Sequence, residues 1–174
     1  MGHENKAKFY NNFSQNVRGF IAQGSEKGFG LPYAFGINDT ALVKNGTSYV
    51  QVVSCNTHNI CSLVKTLSAG DVDKNFVSGD FTCIRRANDI SQNGSFIASP
   101  EVGAHGDNIF GTHHAKDAHD LFDTLGFKPN LFSSAIKINS QYMHLIRFNI
   151  TLKGYALEED ILNLLKENKH IALT

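Results

Sequence analysis

Apolar residues occur along this chain in short alternating runs or at helical spacing, and glycine, asparagine or paired polar residues end most of these runs. The clearest alternation places His144, Ile146, Phe148, Ile150 and Leu152 on one face of a strand. Strands are predicted over residues 17–23, 34–37, 76–86, 96–98, 131–139, 143–152 and 171–173, with another that begins at 49 and leads to Cys55; helices are predicted over 60–67, 115–125 and 157–166. Short connections between strands, interrupted by three helices, predict an α+β fold in which helices cover a mixed or antiparallel sheet.

The strand that begins at Tyr49 ends abruptly at a thiol. Its valines are β-branched and suit a buried strand, and Ser54, Asn56 and Thr57 can each cap the helix that follows. Cys55 is therefore predicted at or just before a helix N-terminus, where unpaired N–H groups and the helix dipole favour an anion. Nucleophilic cysteines occupy such positions. The alternative is a buried cysteine at a strand end with no chemical role.

Composition bounds the class of protein. The chain has 174 residues, of which 41% are hydrophobic and 18% charged, as expected for one globular domain with a core. Its formal net charge of +0 creates no bulk field for nucleic acid or an anionic membrane. No apolar run has the length of a membrane span, and the first eight residues lack the apolar core of a signal peptide. Three cysteines without paired spacing argue against a disulfide framework, which indicates a reducing, cytoplasmic setting.

The glycine-rich segment 24–30 departs from the dinucleotide fingerprint. Gly28 and Gly30 have the first spacing of that motif, but Tyr33 stands where the third glycine should be. Pro32 follows too soon for a helix, so the segment is predicted to be a loop and not a phosphate cradle.

Two further pairs of residues could bind an anion. Arg85 and Arg86 close a strand, and a guanidinium can form a fork to a carboxylate or phosphate. His113 and His114 precede a helix, where the backbone already favours an anion. The alternatives are a solvated strand end and two surface histidines in a loop.

His144 stands on an otherwise apolar strand face, which is a setting for either a base or a satisfied core histidine. A metal site is not predicted, because His105, His113, His114 and His119 show no zinc motif. Together with Cys55, these residues supply a nucleophile, a possible base and anion binders, which suits acyl or aldehyde chemistry on a small phosphate ester.

An ordered set of motifs resembles archaeal-type glyceraldehyde-3-phosphate dehydrogenases. The central one, Val52-Val-Ser-Cys-Asn-Thr57, is similar to the active-site motif of that family. The others are Ala22-Gln-Gly-Ser-Glu-Lys27, Ile84-Arg-Arg86, His113-His-Ala-Lys-Asp117 and Met143-His144, in the family's order. The likeness covers residues 17–174, which are expected to be the catalytic domain, and residues 1–16 are expected to be a polar N-terminal segment.

The resemblance implies a role for each matching residue. Cys55 would be the nucleophile that adds to the aldehyde, and His144 the base. Asn56 would contribute to the catalytic pocket, and Thr57 to the phosphate pocket. Phosphate-binding positions would be Arg85, Arg86, His113 and His114. The implied reaction forms a thiohemiacetal at Cys55, transfers a hydride to NAD or NADP, and ends with attack of inorganic phosphate on a thioester. The implied substrate is a small phosphorylated aldehyde or acyl phosphate, and the implied assembly is a homo-oligomer.

The sequence departs from the family pattern at several points. His58 and Asn59 replace a Thr-Gly pair, residues 139–142 replace Pro-Thr-Thr-Leu, and the loop at 100–110 is longer. Only residues 1–16 precede the likeness, and a βαβ dinucleotide unit alone needs about 30 residues. The family's nucleotide-binding domain is therefore not recognisable in this sequence. The sequence therefore predicts a catalytic domain whose nucleotide-binding domain acts in trans or was lost by truncation. Two other hypotheses stay open: a cofactor-independent hydrolase of acyl phosphates or esters that uses Cys55, and a non-catalytic oligomerisation or binding domain.

Overall fold

The residues that the structure describes form two separate sheets and five α-helices. The computed structural model describes residues 9–24, 27–87, 100–140, 143–154 and 156–174. The strands are β1 (Phe20–Gln23), β2 (Leu31–Tyr33), β3 (Tyr49–Val52), β4 (Phe76–Arg86), β5 (Glu101–Val102), β6 (Asn130–Ile138) and β7 (Leu145–Leu152). The helices are α1 (Asp39–Asn45), α2 (Cys55–Leu67), α3 (Val72–Asn75), α4 (His113–Asp123) and α5 (Glu158–Glu167), and a short 3-10 helix covers Asn11–Phe13. The predicted α+β class is confirmed.

The first sheet delivers the chain to Cys55. Its three strands are parallel in the order β1-β3-β2, with Phe20 opposite Tyr49 and Tyr33 opposite Val52. Pro32 lies in the edge strand β2, where a missing backbone N–H is tolerated. The central strand β3 ends three residues before Cys55, which begins α2.

The second sheet is mixed and has the order β5-β6-β4-β7. Strand β4 is parallel to β6 and antiparallel to β7. Alternation along β4 buries Phe81 and Cys83 completely, and Arg85 is the next residue on the same face. This face therefore leads from the apolar core to a cation at the end of the strand.

Helices α2 and α4 pack together over the second sheet. Their buried side chains join those of β4 and β6 in one core: Ile60, Cys61, Val64, Phe81, Cys83, Ala115, Ala118, Leu121, Phe122, Leu131 and Ala135. Complete burial of a large apolar side chain stabilises the fold by about 1.5–3 kcal/mol, so this core fixes both helix N-termini against the sheet. Among the described residues, no helix is long and apolar enough to span a membrane.

The prediction of a strand at residues 34–37 is wrong. Residues 35–37 form a turn, and Gly36 has a left-handed backbone with φ 76°. The strand lies earlier, at Leu31–Tyr33, and the turn leads into helix α1, which the sequence analysis missed. Helix α1 has only seven residues, too few to show a helical period.

Other helices and strands also differ from their predicted ranges. Helix α2 begins at Cys55 and not at residue 60, because its polar first turn hides the apolar spacing. The short helix α3 was not predicted, and residues 171–173 form no strand. The loop predicted at 100–110 contains the two-residue strand β5. The strand predicted at 96–98 lies outside the described residues.

Asn38 ties the first sheet to helix α4. Its side chain is fully buried, accepts a hydrogen bond from the Ala34 N–H (3.0 Å), and donates to the Pro32 carbonyl (2.8 Å) and the Thr124 hydroxyl (2.9 Å). We expect Asn38→Ala to lower the free energy of unfolding by about 2–4 kcal/mol, because it leaves buried backbone groups without partners.

Denaturant unfolding of Asn38→Ala measures this loss. Asn45→Ala is the matched control, because Asn45 is exposed and its amide donates to the Ala41 carbonyl (2.9 Å) within the same helix. The control should change stability by no more than about 0.5 kcal/mol. Equal stabilities for the two variants would contradict a structural role for Asn38.

Candidate active site

Cys55 is the accessible thiol. It is exposed as the first residue of α2, whereas Cys61 and Cys83 are fully buried in the core. Burial raises the pKa of the Cys61 thiol far above its usual value. It also raises the pKa of Cys83 to about 11, although nearby Arg85 opposes that change. Since the thiolate is the nucleophile, the two buried cysteines are inert at neutral pH.

Ser54 fixes the start of α2. Its hydroxyl accepts a hydrogen bond from the Thr57 N–H (3.4 Å) and lies 2.9 Å from the Thr57 hydroxyl. Asn56 and Thr57 are buried directly behind Cys55. The Asn56 Oδ1 atom is buried and has no hydrogen-bond partner among the described residues. A buried acceptor of this kind calls for a donor from water or a ligand.

A cation-lined cavity of about 310 Å³ lies at the end of strand β4. Its walls include Arg85 of β4, Lys137 of β6, Glu101 of β5, and Thr112 and His113 at the start of α4. The Nε atom of Arg85 is buried without a hydrogen-bond partner in the described part of the chain. Because an unpaired buried donor is costly, this cavity is suited to an anionic ligand.

Ser133 positions the N-terminus of α4. Its hydroxyl accepts a hydrogen bond from the Ala115 N–H (3.0 Å) and lies 2.6 Å from the Thr112 hydroxyl. Strand β6 therefore supplies the cap that the helix's own N-cap residue, Thr112, does not provide. The positive end of the helix dipole is held beside the cavity as a result.

His114 is neutral and deeply buried. Only 2% of its surface is exposed, and neither ring nitrogen has a partner within the described ranges. Burial, with nearby His113, Arg85 and His144 acting in the same direction, lowers the pKa of His114 to about 3. His113 is exposed, but partial desolvation also lowers its pKa, and its ring centroid lies 3.9 Å from that of His114. These histidines therefore offer hydrogen bonds and not charge at neutral pH.

His144 lies immediately before β7, so its predicted place within a strand is off by one residue. Its Nδ1 accepts a hydrogen bond from the backbone N–H of Arg86 (3.2 Å). In a neutral ring with this bond the proton is on Nε2, and the ring acts as a donor there. To act as a base through Nε2, His144 would first have to exchange this tautomer or turn its ring.

The structure separates the two arginines. Arg85 follows Phe81 and Cys83 on the buried face of β4 and lines the cavity, whereas the adjacent Arg86 falls on the opposite face. Arg85 and His144 both act on the pKa of His114, and Cys55 and Arg85 both act on the pKa of Cys83. Cys55 and Arg85 therefore lie near Cys83. Arg85 and His144 likewise lie near His114. Sequence reasoning missed Glu101, Lys137, Thr112 and Ser133, whose places depend on strand pairing.

An exposed thiol at a helix N-terminus in the same region as a cation-lined cavity is typical of thiol-dependent enzymes that act on anionic substrates.

Comparison with named proteins points to one kind of thiol-dependent enzyme. The chain is 30% identical over 179 residues to glyceraldehyde-3-phosphate dehydrogenase of Sulfolobus acidocaldarius, covering 97% of the chain and 46% of that protein. It is 28% identical over 173 residues to the enzyme of Saccharolobus islandicus (strain L.S.2.15 / Lassen #1), covering 92% of the chain and 45% of that protein. No family model matches the chain.

Over nearly all of its length, the chain is therefore similar to part of a glyceraldehyde-3-phosphate dehydrogenase. A third relative, the glyceraldehyde-3-phosphate dehydrogenase of Saccharolobus solfataricus, is 27% identical over 166 residues and likewise matches 92% of the chain. The chain spans about half the length of these relatives, 45–46%.

Proposed function

We propose that this chain is the catalytic domain of a phosphorylating aldehyde dehydrogenase that acts on a small phosphorylated aldehyde such as glyceraldehyde 3-phosphate. The observation that carries the proposal is the exposed Cys55 at the start of α2, together with Arg85 of the cavity; both residues interact electrostatically with Cys83. The similarity to glyceraldehyde-3-phosphate dehydrogenases supports the same assignment.

In this proposal Cys55 forms and breaks one bond to the substrate. Its thiolate attacks the aldehyde carbon, a carbon–sulfur bond forms, and the carbonyl oxygen takes a proton to give a thiohemiacetal. Water supplies that proton, and the Nε2–H of neutral His144 is a suitable hydrogen-bond donor to the oxygen. After oxidation to a thioester, inorganic phosphate attacks the same carbon, the carbon–sulfur bond breaks, and the thiolate of Cys55 is restored. Arg85 holds the phosphate group through a charge-assisted hydrogen bond from its guanidinium.

The oxidation itself removes a hydride and needs NAD or NADP, which the described residues do not fit. The loop after β1 leads into β2 and not into a helix. The turn between β2 and α1 has one glycine, Gly36, and its N–H donates to the Asp39 carboxylate (3.1 Å). An acid at that point repels a pyrophosphate. We therefore assign the cofactor to a nucleotide-binding domain outside the described residues.

Protection of Cys55 by substrate tests the proposal. We expect iodoacetamide to label Cys55 before Cys61 and Cys83, and glyceraldehyde 3-phosphate to slow that labelling by about tenfold at roughly ten times its dissociation constant, by mass action. Labelling is followed by peptide mass spectrometry. Unphosphorylated glyceraldehyde at the same concentration is the matched ligand control and should protect much less. Equal protection by the two aldehydes would remove the phosphate site from the proposal.

A second candidate is a cofactor-independent acyl phosphate or ester hydrolase. The turn closed by Asp39 favours it, because that turn offers no phosphate cradle for a dinucleotide. In this reaction Cys55 displaces phosphate from an acyl phosphate, and water then releases the acid from the thioester. Self-association, which the relatives suggest for this chain, is compatible with either candidate.

A further inference from the structure

A row of three charged side chains crosses three adjacent strands at the cation-lined cavity. In the pairing of β4 with β6, Arg85 stands opposite Lys137, and in the pairing of β5 with β6, Glu101 stands opposite Lys137. Residues directly opposite each other on neighbouring strands project to the same face. All three line the same cavity of about 310 Å³.

We propose that Lys137 is the second cation of this anion site and that Glu101 limits the site's affinity, so that the pair sets its selectivity for a phosphate dianion. The proposal rests on the proposed function, because the site is the one that would hold the substrate phosphate. It adds two residues that no motif of the sequence pointed to.

The two cations of the cavity favour an anionic ligand. Like charges directly opposite each other on a sheet are destabilising, so Arg85 and Lys137 repel each other until an anion lies between them. The guanidinium of Arg85, whose buried Nε has no hydrogen-bond partner among the described residues, gives that anion one donor group. Lys137 adds a mobile ammonium with three donors, which adapts to a tetrahedral phosphate.

His113 does not supply the second charge. His113 is exposed, but partial desolvation lowers its pKa, and nearby Arg85 and Lys27 act in the same direction against Asp117. A neutral imidazole can donate one hydrogen bond to phosphate but cannot balance its second negative charge. Among the residues that line the cavity, Lys137 therefore supplies the second positive charge beside Arg85.

Glu101 works against the two cations. It is exposed on the short edge strand β5, next to Lys137 in the row. Its carboxylate attracts Lys137 and repels a bound phosphate, so it should favour release of the anion. Removing that charge while keeping the shape of the side chain should tighten binding.

Calorimetric titration with inorganic phosphate at pH 8, where the dianion predominates, tests the proposal. We expect Lys137→Met to raise the dissociation constant by about tenfold or more, which corresponds to loss of one charged hydrogen bond. Lys137→Arg keeps the charge and should restore most of the affinity. Glu101→Gln should lower the dissociation constant several-fold.

Lys128→Met is the matched control. Lys128 is 67% exposed, pairs with Asp123 at 3.7 Å and does not line the cavity. The Lys128→Met variant should bind phosphate with the same affinity as the unmodified chain. Unchanged affinity in Lys137→Met, with a weakened Arg85→Met, would overturn the role of Lys137 and leave the proposed function standing. Phosphate binding that depends on Lys137, without any protection of Cys55 by glyceraldehyde 3-phosphate, would retain the anion site and reject the dehydrogenase chemistry.

Discussion

Replacing Cys55 with alanine should abolish covalent acylation of the chain by a small acyl phosphate such as acetyl phosphate. In the unmodified chain the thiolate displaces phosphate and one acyl group becomes attached as a thioester, which intact mass spectrometry detects as a single added mass. Loss of a catalytic nucleophile lowers rates by about 10³-fold to 10⁶-fold, so no adduct should form in Cys55→Ala on the same time scale. This half-reaction needs no nicotinamide cofactor and is common to both candidate functions.

The buried cysteines supply the matched controls for this experiment. Cys61→Ala and Cys83→Ala remove thiols that are 0% exposed, and both variants should still take up one acyl group. The fate of the adduct then separates the candidates: a persistent thioester with one phosphate released per chain supports the dehydrogenase domain, and continuous phosphate release supports the hydrolase. Acylation of Cys55→Ala at the rate of the unmodified chain would reject a catalytic role for Cys55 in both.

The strand-to-helix turn at Cys55 could be predicted because its signals are local. Branched valines favour the strand, and Ser54 provides the cap that the structure shows. The helix start was placed too late because Asn56 and Thr57 are polar residues that nevertheless point into the interior. Their burial depends on packing between α2 and the second sheet, which a periodic pattern of apolar residues does not reveal.

The cavity could be predicted only in part. Arg85 and Arg86 are adjacent in sequence, and only the alternation of Phe81 and Cys83 indicates which of the two continues the buried face. Lys137 stands opposite Arg85 because β6 pairs in parallel with β4, although the two residues are about 50 positions apart in sequence. No local motif encodes such a register.

Arg85→Met should weaken binding of glyceraldehyde 3-phosphate by about 10- to 100-fold, measured as the concentration that protects Cys55 from iodoacetamide. The guanidinium lines the cavity, and its buried Nε has no partner in the part of the chain that the structure describes, so a bound phosphate would gain a charge-assisted hydrogen bond from this group. A hydrogen bond to a charged group is worth about 1.5–3 kcal/mol, which sets the expected range. Methionine keeps much of the packing of the aliphatic stem, so the loss reports charge and hydrogen bonding more than shape.

Arg86→Met is the control that makes this prediction sharp, because the two substitutions are chemically identical and one residue apart. Arg86 contacts His144 through its backbone N–H, and a side-chain replacement leaves that bond in place. We therefore expect Arg86→Met to change protection by less than about threefold, and thermal unfolding to confirm that both variants are folded. A larger effect at Arg86 than at Arg85 would place the phosphate on the opposite face of β4. In that case the cavity lined by Lys137 and Glu101 would lose its assigned ligand, and the proposed roles of both residues would be rejected together with that of Arg85.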